Sequence, residues 1–358
     1  MLYHLLYPLS ETVSAFNVFR YLTFRSVGAA LTALLIAFLL GPILIQTMRD
    51  RKVGQTIRED TPERHQAKSG TPTFGGLLIL LALLLSTLLW SEWSSPYMWI
   101  VLGVTLGFGL VGFADDYEKA IKKNPQGIRA RTKLGFQLVI AGTAAAAIWS
   151  LPGFDAEISV PFFKDFHPDI GVLYLPLIVF VVVGTSNAVN LTDGLDGLAL
   201  GPVLTTSVVI GAFSYAVGNS VISAYLGTKY IAGAGTLSIV CASMIGAGLG
   251  FLWFNTYPAS VFMGDTGALA IGGALGTIAC IIRQEVVLAV AGGIFVVETV
   301  SVIVQVVSFK LTGRRVFRMA PIHHHYEQIG WPEPQIIVRF WIISVILALI
   351  ALSLLKLR

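Results

Sequence analysis

Apolar stretches long enough to cross a lipid bilayer recur from one end of this chain to the other, separated by short polar segments. A transmembrane helix needs about 20 consecutive apolar residues. On that measure the pattern predicts ten spans: Ser26–Met48, Thr73–Trp90, Tyr97–Phe113, Leu134–Leu151, Gly171–Ser186, Leu198–Val217, Gly235–Phe254, Thr266–Ile282, Val286–Phe309 and Phe340–Leu355. Backbone groups in hydrocarbon must bond within their own segment, so spans of this kind are helices. The expected fold is all-α, a polytopic helical bundle, with residues 1–358 forming a single membrane domain. Before the first span, Tyr3, Tyr7, Phe16, Phe19 and Tyr21 are mixed with leucines, a composition suited to the membrane interface.

Composition agrees. Only 12% of the 358 residues are charged and 55% are hydrophobic, with a mean hydropathy of +0.77. Soluble domains carry about 25% charged residues. No charged, apolar and small-residue segments follow one another at the N-terminus, so no removable signal peptide is expected. Cys241 and Cys280 both lie inside apolar runs and read as buried structural residues, with no Cys/His cluster to hold zinc. Three glycine pairs, Gly103/Gly107, Gly246/Gly250 and Gly272/Gly276, have the spacing of close helix packing.

Charge then orients the bundle. Seventeen of the 24 Lys and Arg residues follow spans one, three and nine, among them Arg49, Lys68, Lys119, Lys133, Arg314 and Arg318. The other seven are Arg20, Arg25, Lys164, Lys229, Arg283, Lys356 and Arg358. Basic loops stay in the cytoplasm. The odd loops are therefore expected inside and both termini outside. The sequences dense in polar groups, HQAKSGTPTFGG, ADDYEKAIKK, NAVNLTDGLDG, FNTYPASVFMGDTG and PIHHHYEQIGWPEP, all fall in odd loops. Five loops gathered on one face resemble an enzyme site open to a cytosolic substrate.

Asp115, Asp116, Asp193, Asp196 and Asp265 all sit at that face. Such a cluster repels itself unless lysines or a divalent cation relieve it, and oxygen-only ligands favour Mg²⁺ over zinc. The plainer reading of Asp265, before Thr266 and Gly267, is a helix cap. An adjacent pair such as Asp115–Asp116 is harder to explain as a cap, because one cap needs one Asp. Asn187, Asn190, Asp193 and Asp196 recur every third residue and share one side of any continued helix, which Gly194 and Gly197 would break, exposing amides suited to a base and ribose. An ordinary turn would also explain them. Most of the basic residues read as topology signals attracted by anionic lipid. Lys68 and Lys119, each inside a denser motif, read as phosphate contacts. His323, His324 and His325 cannot all face one apolar surface, and consecutive residues rarely share a metal. Phosphate binding or proton transfer suits them better. Glu298 lies inside the ninth span, and reads either as a functional intramembrane acid or as a helix–helix contact with Gln305 or a neighbouring span.

Four ordered motifs, ADDYEK at 114–119, NLTDGLDGLA at 190–199, FMGDTGALAIGG at 262–273 and PIHHHYE at 321–327, resemble the signatures of the polyprenyl-phosphate N-acetylhexosamine-1-phosphate transferases. The resemblance covers essentially the whole chain. The triple histidine and the ten-span plan are similar to the branch that handles phospho-MurNAc-pentapeptide. That resemblance implies transfer from UDP-MurNAc-pentapeptide to undecaprenyl phosphate, giving lipid I and UMP for peptidoglycan, with Mg²⁺ as cofactor. It implies a homodimer in the bacterial cytoplasmic membrane, contact with membrane lipid at a groove near a bent ninth span, and no nucleic-acid partner. By motif, Asp265 resembles the magnesium ligand. Asp115 and Asp116 match the aspartate pair with Lys119 as its lysine, and Asp115 is expected to orient or deprotonate the lipid phosphate. Lys68, Asn190, Asp193, Gly194, Leu195, Asp196 and Phe262 fall where the nucleotide binds, with Asn255 and Gln305 as candidates for the same pocket and Asn187 and Lys133 as further substrate contacts. His323, His324 and His325 match the segment near the sugar-phosphate.

A GlcNAc-1-phosphate transferase of the same superfamily is the nearest rival, and the histidine triplet weighs against it. A proton-coupled transporter would place its ionisable groups near the midplane and show inverted repeats. Here the acids gather at one face and no repeat is visible.

Overall fold

The structure, a computed structural model, describes residues 1–51, 71–161, 163 and 166–356. Lys68 lies outside the described residues. Among the described residues, beside short helices at Leu2–Leu6 and Ser220–Leu226, the architecture is carried by α1 Leu22–Asp50, α2 Gly75–Trp90, α3 Pro96–Ala120, α4 Ala130–Trp149, α5 Tyr174–Thr192, α6 Leu200–Val217, α7 Leu237–Asn255, α8 Gly264–Ile281, α9 Glu285–Ala291, α10 Gly293–Thr312, α11 Ile322–Gln328 and α12 Glu333–Ser353. Among the described residues, nine helices are long and apolar enough to cross a membrane, and α2, with 16 residues, is a shorter apolar helix. At 1.5 Å per residue α2 reaches only about 24 Å. Glu157 and Asp169 form an isolated antiparallel bridge. The all-helical membrane bundle is the fold class read from the hydrophobic pattern.

Local chemistry sets the helix ends. Ser95 caps α3 by accepting from the Met98 N–H, and Pro96 follows at the first helical position, where its missing N–H costs nothing. α10 stops at Gly313, which takes the left-handed conformation (φ 69°) that ends many helices. The ninth apolar stretch, expected as one segment over Val286–Phe309, is two helices, broken at Gly292–Gly293. Two adjacent glycines leave the backbone little reason to continue and no side chain to clash with a bend.

α8 is the axis of the bundle. Every residue from Thr266 to Ile281 is buried, whereas only 22% of the α10 window is. Its sequence, small and apolar on all sides, is what a helix enclosed by others requires. α3 and α5 flank it, and α7 packs between α1 and α6. The glycine pairs explain how closely these backbones approach. A Cβ at Gly272 would lie 2.6 Å from the Ser186 Cα on α5, and one at Gly246 would lie 2.0 Å from the Ala30 carbonyl oxygen on α1. Gly103 departs from the expectation. It faces open space, with nothing within 4 Å of an added Cβ, and only Gly107 of that pair meets another helix, where a Cβ would stand 3.1 Å from Ile140 of α4.

Both termini lie at one end of the bundle. The Met1 ammonium donates to the carbonyls of Leu88 and Ser91 at the end of α2. Near the other terminus, the Lys356 ammonium donates to the Tyr225 carbonyl in the connection between α6 and α7. The motif residues gather at the opposite end.

Candidate active site

Three helix ends build the site: the last turns of α3, the first turn of α8 and the turn that follows α5. α3 runs beyond its apolar part to Ala120, which places Asp115, Asp116 and Lys119 on ordered helix. Asp115, Asp116 and Asp265 each offer a carboxylate oxygen, and these oxygens lie within 4.8 Å of one another.

The three aspartates have different work. Asp116 is almost fully buried and accepts three hydrogen bonds from the start of α8: from the Asp265 N–H at 3.1 Å, the Thr266 N–H at 2.9 Å and the Thr266 hydroxyl at 2.6 Å. It therefore caps α8 from another helix, satisfying donors that a helix start leaves unpaired. Gly264, at φ 70°, makes room for it, since a Cβ there would stand 2.6 Å from Asp116 Oδ2. Asp265 does not cap its own helix, and the side chain of Met263, at the capping position, makes no capping bond. The Asp265 carboxylate turns instead to two ammonium groups, pairing with Lys119 at 3.4 Å and with Lys133 of α4. Asp115 pairs with Lys119 and accepts from the Ile128 N–H at 2.8 Å, which pins the α3–α4 loop over the site.

The turn after α5 contributes a second acidic group. Burial, and then the charges of Asp265, Asp116 and Asp196, push the Asp193 carboxyl up to about 8. Asp196 accepts from the Ala259 N–H at 2.9 Å, and its own N–H donates to Glu333 at 3.0 Å, so the turn is tied to both the α7–α8 loop and the start of α12. Leu195 is buried in a small apolar cluster with Leu198, Ile294, Ile336 and Phe340.

Other expected contacts hold the frame. Asn187 donates to Gln137 of α4 and to the Val183 carbonyl. Asn190 is half-buried at the last turn of α5. Asn255 donates to the Val261 carbonyl, leaving its Oδ1 buried without a hydrogen-bond partner among the described residues. The Phe262 main chain bridges Pro72 and Gly75. Gln305 clamps the segment after α10, accepting from the N–H groups of Val316 and Phe317 and donating to the Phe317 carbonyl.

Consecutive histidines on a helix point in three directions, and each of these has its own partner. His323 is fully buried with Nδ1 3.0 Å from Glu298 Oε1, His324 pairs with Glu327 at 2.6 Å, and His325 Nδ1 accepts from the Arg318 N–H at 3.2 Å. Sequence reasoning missed Thr266, Gln137 and Glu333. Only Glu333, after Pro332 and before a helical run, carried a local signal, that of a helix start.

The carboxylate cluster suits a hard divalent cation, being made of oxygen ligands at one point with two lysines now offsetting the charge. The glycosyl transferase family 4 profile matches residues 98–283. Full-length similarity extends further. The chain is 55% identical to the phospho-N-acetylmuramoyl-pentapeptide-transferase of Pelobacter propionicus over 358 residues, covering 100% of both chains. It is 56% identical to the protein of that name from Syntrophus aciditrophicus and 53% identical to that from Citrifermentans bemidjiense, again covering 100% of each chain.

Proposed function

The chain belongs to the phospho-N-acetylmuramoyl-pentapeptide-transferases of glycosyl transferase family 4, and on that premise we propose how its motif end performs the transfer. The substrates are UDP-MurNAc-pentapeptide and undecaprenyl phosphate, and the products lipid I and UMP. An oxygen of the lipid phosphate attacks the β-phosphorus. The bond from that phosphorus to the bridging oxygen breaks, and UMP leaves with the electron pair. Both reactants are anions, so positioning and charge neutralisation supply most of the catalysis.

The observation that carries this reading is the meeting of Asp115, Asp116 and Asp265 with Lys119 and Lys133 where separate motif loops converge. Asp265, flanked by Asp115, would hold Mg²⁺, which supplies charge neutralisation for the pyrophosphate and for UMP as it leaves. Lys119 and Lys133 exchange Asp265 for phosphate oxygens when the substrates are bound. Asp115 orients the lipid phosphate and takes its proton where one remains. The second pKa of a phosphate monoester is about 6, so little base assistance is needed. Asp116 keeps α8 in place. Its oxygens are committed to three hydrogen bonds, which favours direct displacement over a phospho-aspartate on that residue. Asn187, Asn190, Asp193, Gly194, Asp196, Asn255 and Phe262 form the nucleotide side, with Leu195 anchoring its turn. His324 and His325 lie toward the sugar-phosphate. A cavity of about 610 Å³ lined by Val302, Gln305, Phe309, Lys310, Arg315 and Arg318 combines an apolar wall with cations and suits the lipid phosphate.

The protein sits in the bacterial cytoplasmic membrane as one domain and as a homodimer, with the motif end in the cytoplasm and both termini in the periplasm. Cysteines introduced at Gln126 and at Pro152 should label from opposite sides of intact cells. The test of the reaction is transfer by purified protein from radiolabelled UDP-MurNAc-pentapeptide to undecaprenyl phosphate. Lipid I and UMP should form in equal amounts and both should cease with chelator. Preference for UDP-GlcNAc would overturn the substrate assignment, and undiminished transfer in chelator would overturn the metal.

A further inference from the structure

Glu298 stands inside the bundle on α10, five residues past the Gly292–Gly293 break, and is fully buried. A carboxyl group in such surroundings costs several kcal/mol unless it finds a partner. Its partner is neither Gln305 nor an apolar neighbour but His323, itself fully buried, on the separate helix α11. The 3.0 Å contact joins Glu298 Oε1 to His323 Nδ1. With the carboxylate accepting, Nδ1 carries a proton, and the tautomer and the plane of the ring are fixed together.

The far edge of the ring meets the nucleotide side. A Cβ on Gly194 would stand 2.2 Å from His323 Nε2, so the imidazole lies directly against the backbone between Asp193 and Leu195. Nε2 has no hydrogen-bond partner among the described residues. An unsatisfied buried acceptor costs about 1–3 kcal/mol. An apolar side chain would fill the same space without that cost, so packing alone gives no reason for a histidine here.

We propose that Glu298 is a positioning residue for the transfer, which holds His323 as a strut beneath Gly194 and thereby sets the nucleotide-binding turn from the helix that borders the lipid cavity. The proposal rests on the reading that the Asp193–Gly197 turn contacts the nucleotide. α10 carries Glu298 and, further along, Val302, Gln305 and Phe309 of the cavity wall. One rigid helix is thus tied at one point to the turn on the nucleotide side and lines, along its next turns, the space for the lipid phosphate. The strut sets the distance between two reactants that must meet in line.

Three variants test it: Glu298→Leu removes the acceptor, Glu298→Gln keeps one, and Gly194→Ala pushes on the strut from its far side. UMP affinity by calorimetry should weaken at least about tenfold in Glu298→Leu and Gly194→Ala, a change of about 1.4 kcal/mol. It should stay within about threefold in Glu298→Gln. KM for undecaprenyl phosphate should move less than about threefold in all three, which general damage to the fold would not spare. In protein labelled with ¹⁵N-histidine, the His323 ring should show the Nδ1–H tautomer in wild type and in Glu298→Gln, and lose it in Glu298→Leu. Wild-type UMP affinity in Glu298→Leu, equal losses for both substrates, or an Nε2–H ring in the wild type would each overturn the proposal. Should Glu298→Leu fail to fold, Glu298→Gln and Gly194→Ala decide, since a changed tautomer in the first or normal UMP affinity in the second is equally fatal. Tautomer and UMP affinity are read without turnover. A protein that passes both but makes no lipid I would refute the assigned reaction and leave the strut standing.

Discussion

The two ends of the bundle both bury charge, but they settle it differently. At the end that holds the termini, Arg25, Lys229, Arg283 and Lys356 each have a carboxylate or a ring. Arg25 pairs with Glu92 at 2.7 Å. Lys229 pairs with Asp155 and Glu157. The buried Arg283 guanidinium lies 4.0 Å from the Phe154 ring centre and 4.8 Å from that of Tyr174, with Asp155 at 3.6 Å. The Tyr174 hydroxyl donates to Glu285. These contacts tie helix ends and loops to one another. At the motif end, Asp115, Asp116 and Asp265 bring their carboxylates within 4.8 Å of one another, Lys119 and Lys133 pair with two of the three, and Asp193 is buried close by. An end whose charges balance holds the fold. Carboxylates packed against one another with lysines among them form an arrangement that a bound cation or phosphate can rearrange.

Exchanging single groups sharpens that contrast. The largest effect is expected for Asp265→Asn. The amide keeps the shape and loses the charge, so transfer should fall by at least about a hundredfold, the scale of a lost positioned group, with the melting temperature nearly unchanged. More than roughly a tenth of wild-type turnover, a loss of less than about 1.4 kcal/mol in the barrier, would remove Asp265 from the centre of the site. Asp116→Ala comes next and should damage both properties. Losing a cap costs about 1–2 kcal/mol of stability, and turnover should drop because the start of α8 is released. A variant with reduced turnover and unchanged melting would show that Asp116 acts on substrate instead. His324→Ala should lower turnover about tenfold, at the weak end for an acid–base or phosphate contact; full activity would leave that imidazole without a chemical role. The smallest effect on transfer is expected at the opposite end. Arg283→Met should cost on the order of 1–3 kcal/mol of stability, seen as a lower melting temperature, while turnover per folded molecule stays within about twofold. A large loss of turnover there would break the comparison itself.

Much of this was legible in the chain. Ten apolar stretches correspond to the helices because bilayer thickness fixes their length. Their ends were less legible. α3 extends to Ala120 and α12 begins at Glu333, whereas the apolar parts stop at Phe113 and start at Phe340. A helix continues past its apolar part wherever its backbone remains bonded. The Gly292–Gly293 break was not visible in the hydrophobic pattern, because it removes no apolar residue. The aspartates show a different limit. Local sequence suggested Asp265 as a helix cap, and the structure gives that job to Asp116, 149 positions away. Local motifs name the residues that lie together, but only packing decides which carboxylate serves the backbone and which is left to pair with lysines.

The glycine seams around α8 carry a consequence for how this protein can change over generations. A Cβ at Gly112 would stand 2.3 Å from the Asp265 carbonyl oxygen, and one at Gly76 would stand 2.1 Å from the Gly267 nitrogen. Neither glycine has a side chain with which to touch a substrate. Each nevertheless sets where Asp265 stands, and the smallest possible change, one methyl group, would move it through backbone that has nowhere to go. A library of variants selected for growth would find these positions as intolerant as the aspartates. Their mutational record would look catalytic, although their contribution is only the absence of an atom.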